Sequence, residues 1–341
     1  MRLRELGLKV GGLSVGPRNS IADVAGVSVG HAAIEGEGLC CGLTAVLPYP
    51  LEVKERRLYL GHWAADGGGP LTGQQVMEDF GIFSSPIVLA PPAAMGRIYE
   101  GLLGYGLGRD AGLDLDTGWP PLVLGVEDLN PPARVHRSVA EPQLRSALQT
   151  AQGDQVQEGS VGIGRGLRAF GLKGGVGTSS RRSGEYLVGA LVAAGGGSRL
   201  WADGYPLDLW ARLPRQAEPG TAAAVVATDA PLLPHQLDRL AGRAALGLAR
   251  AGLLDSASRQ GVVLAFSTAG PVGEGVTMQA AALDEEGLPP LFGAAAEACE
   301  EAVLNALLAA APAQVGGRAL ATLKPEPWAA RLRRTQEERA W

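Results

Sequence analysis

The stretch EPGTAAAVVATDAPL, residues 218–232, decides how the whole chain is to be read. Pro219 and Gly220 are turn formers, and glycine reaches backbone angles closed to other residues. From Ala222 the text becomes a smooth apolar run centred on Val225 and Val226, the pattern of a strand buried on both faces. Thr221 is therefore the first ordered residue of a core strand entered from a loop. A junction of this kind is ordinarily a connector. It is also the layout that an N-terminal nucleophile requires, so the surrounding sequence has to choose.

Working outward, short apolar runs alternate with glycine-rich turns: GLTAVLPYP, SSPIVLAPP, the run from Trp119 to Asp128, GLRAFGLKGG, EYLVGALVAAGGG and GVVLAFSTAG. Each has strand length. Two segments read as helices. One carries Leu233, Leu237, Leu240, Ala244 and Leu248 on one face, with Pro234 in its first turn. The other is AAAEACEEAVLNALLAAAP, from Ala294 to Pro312, rich in strong helix formers. Strands flanked by helices predict a layered α/β sandwich. Residues 195–220 read as the most loop-like stretch, and the tail PEPWAARLRRTQEERAW as a charged, solvated end.

The totals narrow the function. A chain of 341 residues with 46% hydrophobic content has a sizeable core, and 50 glycines imply many turns and close backbone approaches. Basic and acidic residues number 30 and 35, giving a net charge of −5 without segregation, which offers no electrostatic case for nucleic acid. No apolar run reaches the roughly 18–20 residues of a membrane span. The opening MRLRELGLKVGG is amphipathic and lacks the apolar segment of a secretory signal, so a soluble cytoplasmic protein is expected. Cys40, Cys41 and Cys299 imply no disulfide framework. His31, His62, His136 and His235 lie far apart, and nothing at metal-ligand spacing argues for a metal site.

Nucleotide motifs fail on inspection. LKGGVGTSSR (Leu172–Arg181) has Thr178 where a phosphate loop needs its lysine, and GSVGIGRG (Gly159–Gly166) is not GxGxxG. No GxSxG elbow is present. What remains is the Gly-Thr pair. A threonine hydroxyl there can attack the preceding carbonyl, turning the peptide bond into an ester that water cleaves. Glycine before it offers no side chain to block the attack. The amine so released has a reference pKa of about 7.7–8.0 and can act as the base for its own hydroxyl.

Longer text supports that choice. NSIADVAGVSVGH (Asn19–His31) followed by GLTAVLP, the glycine-rich EGSVGIGRGLRAFGLKGGVGTSSR (Glu158–Arg181), ATDAPLLPHQLDRLAGRAALGLARAG (Ala227–Gly252), LAFSTAG and EAVLNALLAA run nearly end to end. Together they resemble the L-aminopeptidase/D-esterase family of self-cleaving N-terminal-nucleophile hydrolases, which includes the β-peptidyl aminopeptidases. The resemblance implies an αββα sandwich and self-cleavage between Gly220 and Thr221 into chains 1–220 and 221–341. It further implies hydrolysis of N-terminal amino-acid amides, esters or short peptides through an acyl-enzyme on Thr221, and a homo-oligomer of cleaved units. No cofactor is expected, because a hydroxyl, an amine and hydrogen-bond donors carry the chemistry.

Several polar groups of the family are missing. A Ser-x-Glu or Asp-x-Asp pair is expected just before the AFST strand, where this chain has Arg259-Gln260-Gly261; only Asp255, Ser256 and Ser258 lie upstream. The family's asparagine falls around Gly195, and the tyrosine expected near Asp128–Asn130 is absent. A weak or non-catalytic relative, or an acyltransferase like the ornithine acetyltransferases, therefore stays open. With Arg259 in place of the acids, a reduced preference for free amino termini is expected. Four further residues have two readings each. Lys173 is a surface lysine or a site cation; Asn130 caps a turn before Pro131 or donates to an oxyanion; Ser267 and Thr268 bind substrate or close their strand.

Overall fold

The computed structural model describes residues 1–36, 38–50, 57–65, 69–113, 120–213, 220–254, 260–269 and 280–339. Two sheets stack face to face. One contains β1 (Ser28–Ile34), β2 (Cys41–Leu47), β5 (Ile87–Ala90) and β6 (Leu122–Gly125), in the order β1-β2-β5-β6. The other has the order β4-β3-β10-β9-β8-β7, with β3 at Leu58–Ala65, β4 at Ile82–Phe83, β7 at Gly175–Ser183, β8 at Tyr186–Ala194, β9 at Thr221–Thr228 and β10 at Gln260–Ser267. The β9–β10 and β5–β6 pairs are parallel, and the remaining neighbours are antiparallel.

Strand β9 shows why the layers form. Its residues alternate between two cores: Ala222, Ala224 and Val226 face α3 (Pro234–Ala251) and α4 (Leu288–Leu308), whereas Ala223, Val225 and Ala227 face the other sheet. All eight residues are buried, as the unbroken apolar run predicts. A third core covers the outer face of the four-stranded sheet with α1 (Met95–Arg109) and α2 (Glu141–Gln149). The order helix, sheet, sheet, helix is the αββα sandwich.

The helix of residues 234–251 starts at Pro234 and stops at Gly252 in the left-handed region (φ 98°). The second predicted helix starts earlier and stops earlier, at Leu288 and Leu308. Its Glu301 is fully buried against Arg181 of β7 at 2.7 Å and also accepts from Asn19 Nδ2 at 2.6 Å, while Asn19 Oδ1 accepts from Ser179 and Ser180 of β7, so Asn19 ties the opening segment to both helix and sheet.

Two expectations need correction. The tail is not simply solvated: α5 (Ala329–Arg339) docks on residues 201–210, with Arg331 over the Trp210 ring at 4.5 Å and Arg339 over Tyr205 at 4.8 Å. Nor is the stretch from 195 all loop, since Trp201–Ala202 pairs with Tyr205–Pro206 ahead of a helical turn at Leu207–Trp210.

Candidate active site

Thr221 opens β9, and its register partner on the parallel neighbour β10 is Gln260, the first residue of that strand. The pairing sets the two side chains side by side. Thr221 Oγ1 donates to Gln260 Oε1 at 3.2 Å. From the opposite sheet, the backbone N–H of Glu127 donates to the same hydroxyl oxygen at 3.3 Å. Thr221 is 1% exposed, and among the described residues these two groups are the hydrogen-bond partners of its hydroxyl. An N–H so placed can stabilise negative charge on the oxygen, in a site where water competes little.

The backbone behind the Gly220–Thr221 junction is packed too closely for side chains. A Cβ on Gly195 would stand 2.6 Å from the Thr221 carbonyl oxygen, and one on Gly220 would stand 2.7 Å from Gly196 N. Glycines 195 and 196 therefore form the wall on which Gly220 and Thr221 lie. This explains the glycine where the family resemblance places an asparagine: in this backbone, position 195 is filled by main chain.

Glu127 sits just past the end of β6, where Val126 N–H is bonded to Ala90 O at 2.9 Å. Its N–H faces the hydroxyl and its own side chain is exposed. The Glu127 main chain, not its carboxylate, is thus what meets the hydroxyl. Sequence reading missed both Glu127 and Gln260. The signal for Gln260 was its place in the text where an acid was expected; Glu127 carried none, because its role is exercised by a main-chain atom across two sheets.

The other proposed residues fall elsewhere. Asn130 is buried, and its amide bridges Cys40, accepting from Cys40 N and donating to Cys40 O, both at 2.9 Å. It also donates to Asp128 Oδ2 at 2.8 Å. Burial pushes the Asp128 carboxyl above the usual carboxylate range. Lys173 is not a surface lysine. It is fully buried, and its Nζ donates to the carbonyls of Gly164, Leu167 and Gly174 at 2.5, 3.2 and 2.8 Å, which uses all three ammonium hydrogens. Ser267 and Thr268 stand at the far end of β10, seven residues or about 23 Å along the strand from Gln260. Ser267 Oγ donates to Ala230 O at 2.6 Å and Thr268 N–H to Thr228 O at 2.8 Å, so they close the strand. Arg259, Asp255, Ser256 and Ser258 lie outside the described residues.

The profile of peptidase family S58 matches residues 19–320. The chain belongs to peptidase family S58. Among curated S58-like relatives, it is 35% identical to a β-peptidyl aminopeptidase of Sphingosinicella microcystinivorans, across 91% of this chain and 86% of that one. Solved structures agree over nearly the whole length. The PH0078 protein of Pyrococcus horikoshii is similar with a TM-score of 0.89 and 34% identity, covering 98% of this chain and 99% of that one. The L-aminopeptidase D-Ala-esterase/amidase of Ochrobactrum anthropi, described as a variant of the Ntn-hydrolase fold, gives 0.85 and 32%, with 99% of both chains covered. The S58 chain described here is accordingly an enzyme of the aminopeptidase class with that fold. Among its described residues, no group of three or more His, Cys, Asp or Glu could hold a metal ion, and no helix is long and apolar enough to cross a membrane.

Proposed function

We propose that this aminopeptidase matures by cutting itself between Gly220 and Thr221, and that Thr221 is then its nucleophile. The observation that carries the reading is the Thr221 hydroxyl held between the Glu127 N–H and Gln260 Oε1 at the entrance of a core strand. In processing, Oγ1 attacks the Gly220 carbonyl carbon and the peptide C–N bond breaks, leaving a free Thr221 amine and an ester. Water then releases the Gly220 carboxylate. In turnover, the amine accepts the Oγ1 proton, the oxygen attacks the substrate carbonyl, and the leaving amine departs protonated. Water hydrolyses the acyl-enzyme.

Residues 1–220 and 221–341 are the two mature chains of one αββα unit, and copies of that unit assemble into a homo-oligomer. Substrates are short peptides, amides or esters whose first residue carries a free amine, with β-amino-acid peptides included on the strength of the Sphingosinicella relative. We assign the exposed Glu127 carboxylate, borne by the residue whose N–H meets the hydroxyl, the role of drawing that ammonium to the site. This supports a stronger preference for free amino termini than Arg259 alone suggests.

The test is a denaturing gel of purified protein with N-terminal sequencing of the smaller band. It should begin Thr-Ala-Ala-Ala, and Thr221→Ala should remain one chain. A wild-type protein that stays intact on prolonged incubation overturns the reading.

A further inference from the structure

The glycine-rich segment that looks like a phosphate loop has a different task. Lys173 is buried in it with its ammonium bonded to three main-chain carbonyls, and among the described residues it has no ion pair with a carboxylate. Burying a cation is costly, and here the three carbonyl hydrogen bonds are what offset that cost. The carbonyls it gathers belong to Gly164, Leu167 and Gly174, and so it fastens the short helical turn Gly162–Gly166 to the strand residues beside it.

Through intermediate residues, the turn and the strand that follows it reach both sides of the Gly220–Thr221 bond. On one side, Leu129 N–H donates to Gly166 O at 3.2 Å, and a Cβ on Gly166 would meet Asp128 Oδ2 at 2.7 Å and Asn130 Nδ2 at 2.9 Å. The Asp128–Asn130 turn thus rests on Gly166, and the residue preceding it, Glu127, aims its N–H at Thr221 Oγ1. On the other side, Arg168 O accepts from Gly196 N–H at 2.9 Å, and Gly196 is the backbone against which Gly220 lies.

We propose that Lys173 is a positioning residue for the Thr221 reaction: by clamping the Gly164, Leu167 and Gly174 carbonyls it holds the Glu127 N–H and the Gly196 backbone at their distances from the scissile bond. It touches neither substrate nor nucleophile. The inference rests on Thr221 being the nucleophile. Burial moves the Lys173 ammonium down to about 8, with nearby Arg165 acting in the same direction and Cys40 opposing both. Above that pH, one of the three donors is lost. Activity then falls on the alkaline side while the nucleophile remains competent. The other charged or titratable groups around the clamp are Arg168, the register partner of Lys173 on the adjoining strand, and Asp128 and Cys41, which are hydrogen-bonded to each other.

The experiment compares wild type, Lys173→Met, Lys173→Arg and Cys40→Ser, with Thr221→Ala as the inert control, following self-cleavage, kcat, KM and their pH profiles on an aminoacyl amide. Lys173→Met is expected to lower kcat and slow processing at least tenfold with KM within about twofold. Lys173→Arg, charged throughout, is expected to recover part of the rate and to lose the alkaline limb near pH 8; Cys40→Ser keeps that limb. If Lys173→Met does not fold, the wild-type and Lys173→Arg profiles decide. A folded Lys173→Met with wild-type kcat, an alkaline limb missing from wild type, or a limb that persists in Lys173→Arg overturns the proposal. Wild-type protein that neither cleaves itself nor turns over points instead to failure of the nucleophile assignment.

Discussion

Gly195→Ala is the sharpest test of the packing behind Thr221. The new Cβ would lie 2.6 Å from the Thr221 carbonyl oxygen, whereas ordinary contact begins at 3.4 Å, so the two backbones must separate by about 0.8 Å. Overpacking of this kind costs about 1–3 kcal/mol. With an unfolding entropy near 2.1 cal/mol/K per residue, a 341-residue chain loses only about 1.5–4 °C of Tm for that cost. The effect on chemistry is larger. Displacing Thr221 by most of an ångström stretches its contacts, now 3.2 and 3.3 Å, to about 4 Å, beyond hydrogen-bond range. Misplacement near 1 Å lowers rates on the order of 10²-fold. The assay is the time course of two-chain appearance on a denaturing gel after rapid purification, alongside a thermal melt. Gly195→Asn carries the same Cβ and should be no faster. Processing within twofold of wild type in a folded Gly195→Ala protein would refute the wall of main chain inferred here.

Gln260→Leu removes the acceptor of the Thr221 hydroxyl; a net hydrogen bond of about 0.5–1.5 kcal/mol sets the expected slowing of self-cleavage at roughly 2–12-fold, read on the same gel. Glu127→Gln keeps the N–H and removes the carboxylate, so KM should rise about 5–10-fold for substrates with a free amine and stay unchanged for N-acylated ones; equal effects on both would remove Glu127 from substrate recognition. The acid limb of hydrolysis, below the alkaline limb assigned to Lys173, should rise through one ionisation near 7–8 from the Thr221 amine, and changing His31, His62, His136 and His235 singly to Gln should leave it in place. His31 bears on stability instead. Burial lowers its pKa to about 4, so between pH 6.5 and 4 the unfolded chain binds a proton that the folded chain does not, and stability falls as pH falls. Melts of wild type and His31→Gln across that window should diverge by up to about 3 kcal/mol at its acid end, with the variant the less acid-sensitive.

Continuous, local signals were legible in the sequence. The apolar runs of β2, β5, β8, β9 and β10 announce buried strands because, past Gln260 and Tyr186 at the strand starts, nearly every residue is apolar or small and buried. Helix α3 announces itself through its stripe and its proline and glycine boundaries. Helix α1 does not, since Gly96, Gly101, Gly104, Gly106 and Gly108 erase its helix propensity and only packing against the four-stranded sheet sustains it. Strand β7 is hidden for the opposite reason. Its Thr178, Ser179, Ser180 and Arg181 are polar yet buried, which is possible only because Asn19, Asp23, Glu301 and Asn305 arrive from distant parts of the chain to bond them.

The site divides the same way. By itself the sequence determined the nucleophile candidate, because the Gly-Thr junction and the strand that follows it are one uninterrupted stretch of chain. Only the tertiary structure decided what surrounds that hydroxyl. Gln260 meets it through the register of a parallel pair, and Glu127 meets it through a main-chain N–H carried on the opposing sheet. It also decided that Lys173 spends its ammonium on carbonyls and that Ser267 and Thr268 stand at the wrong end of their strand. Sequence spacing fixes which residues are neighbours along the chain, whereas these contacts depend on register, layer stacking and backbone atoms, which no residue type encodes.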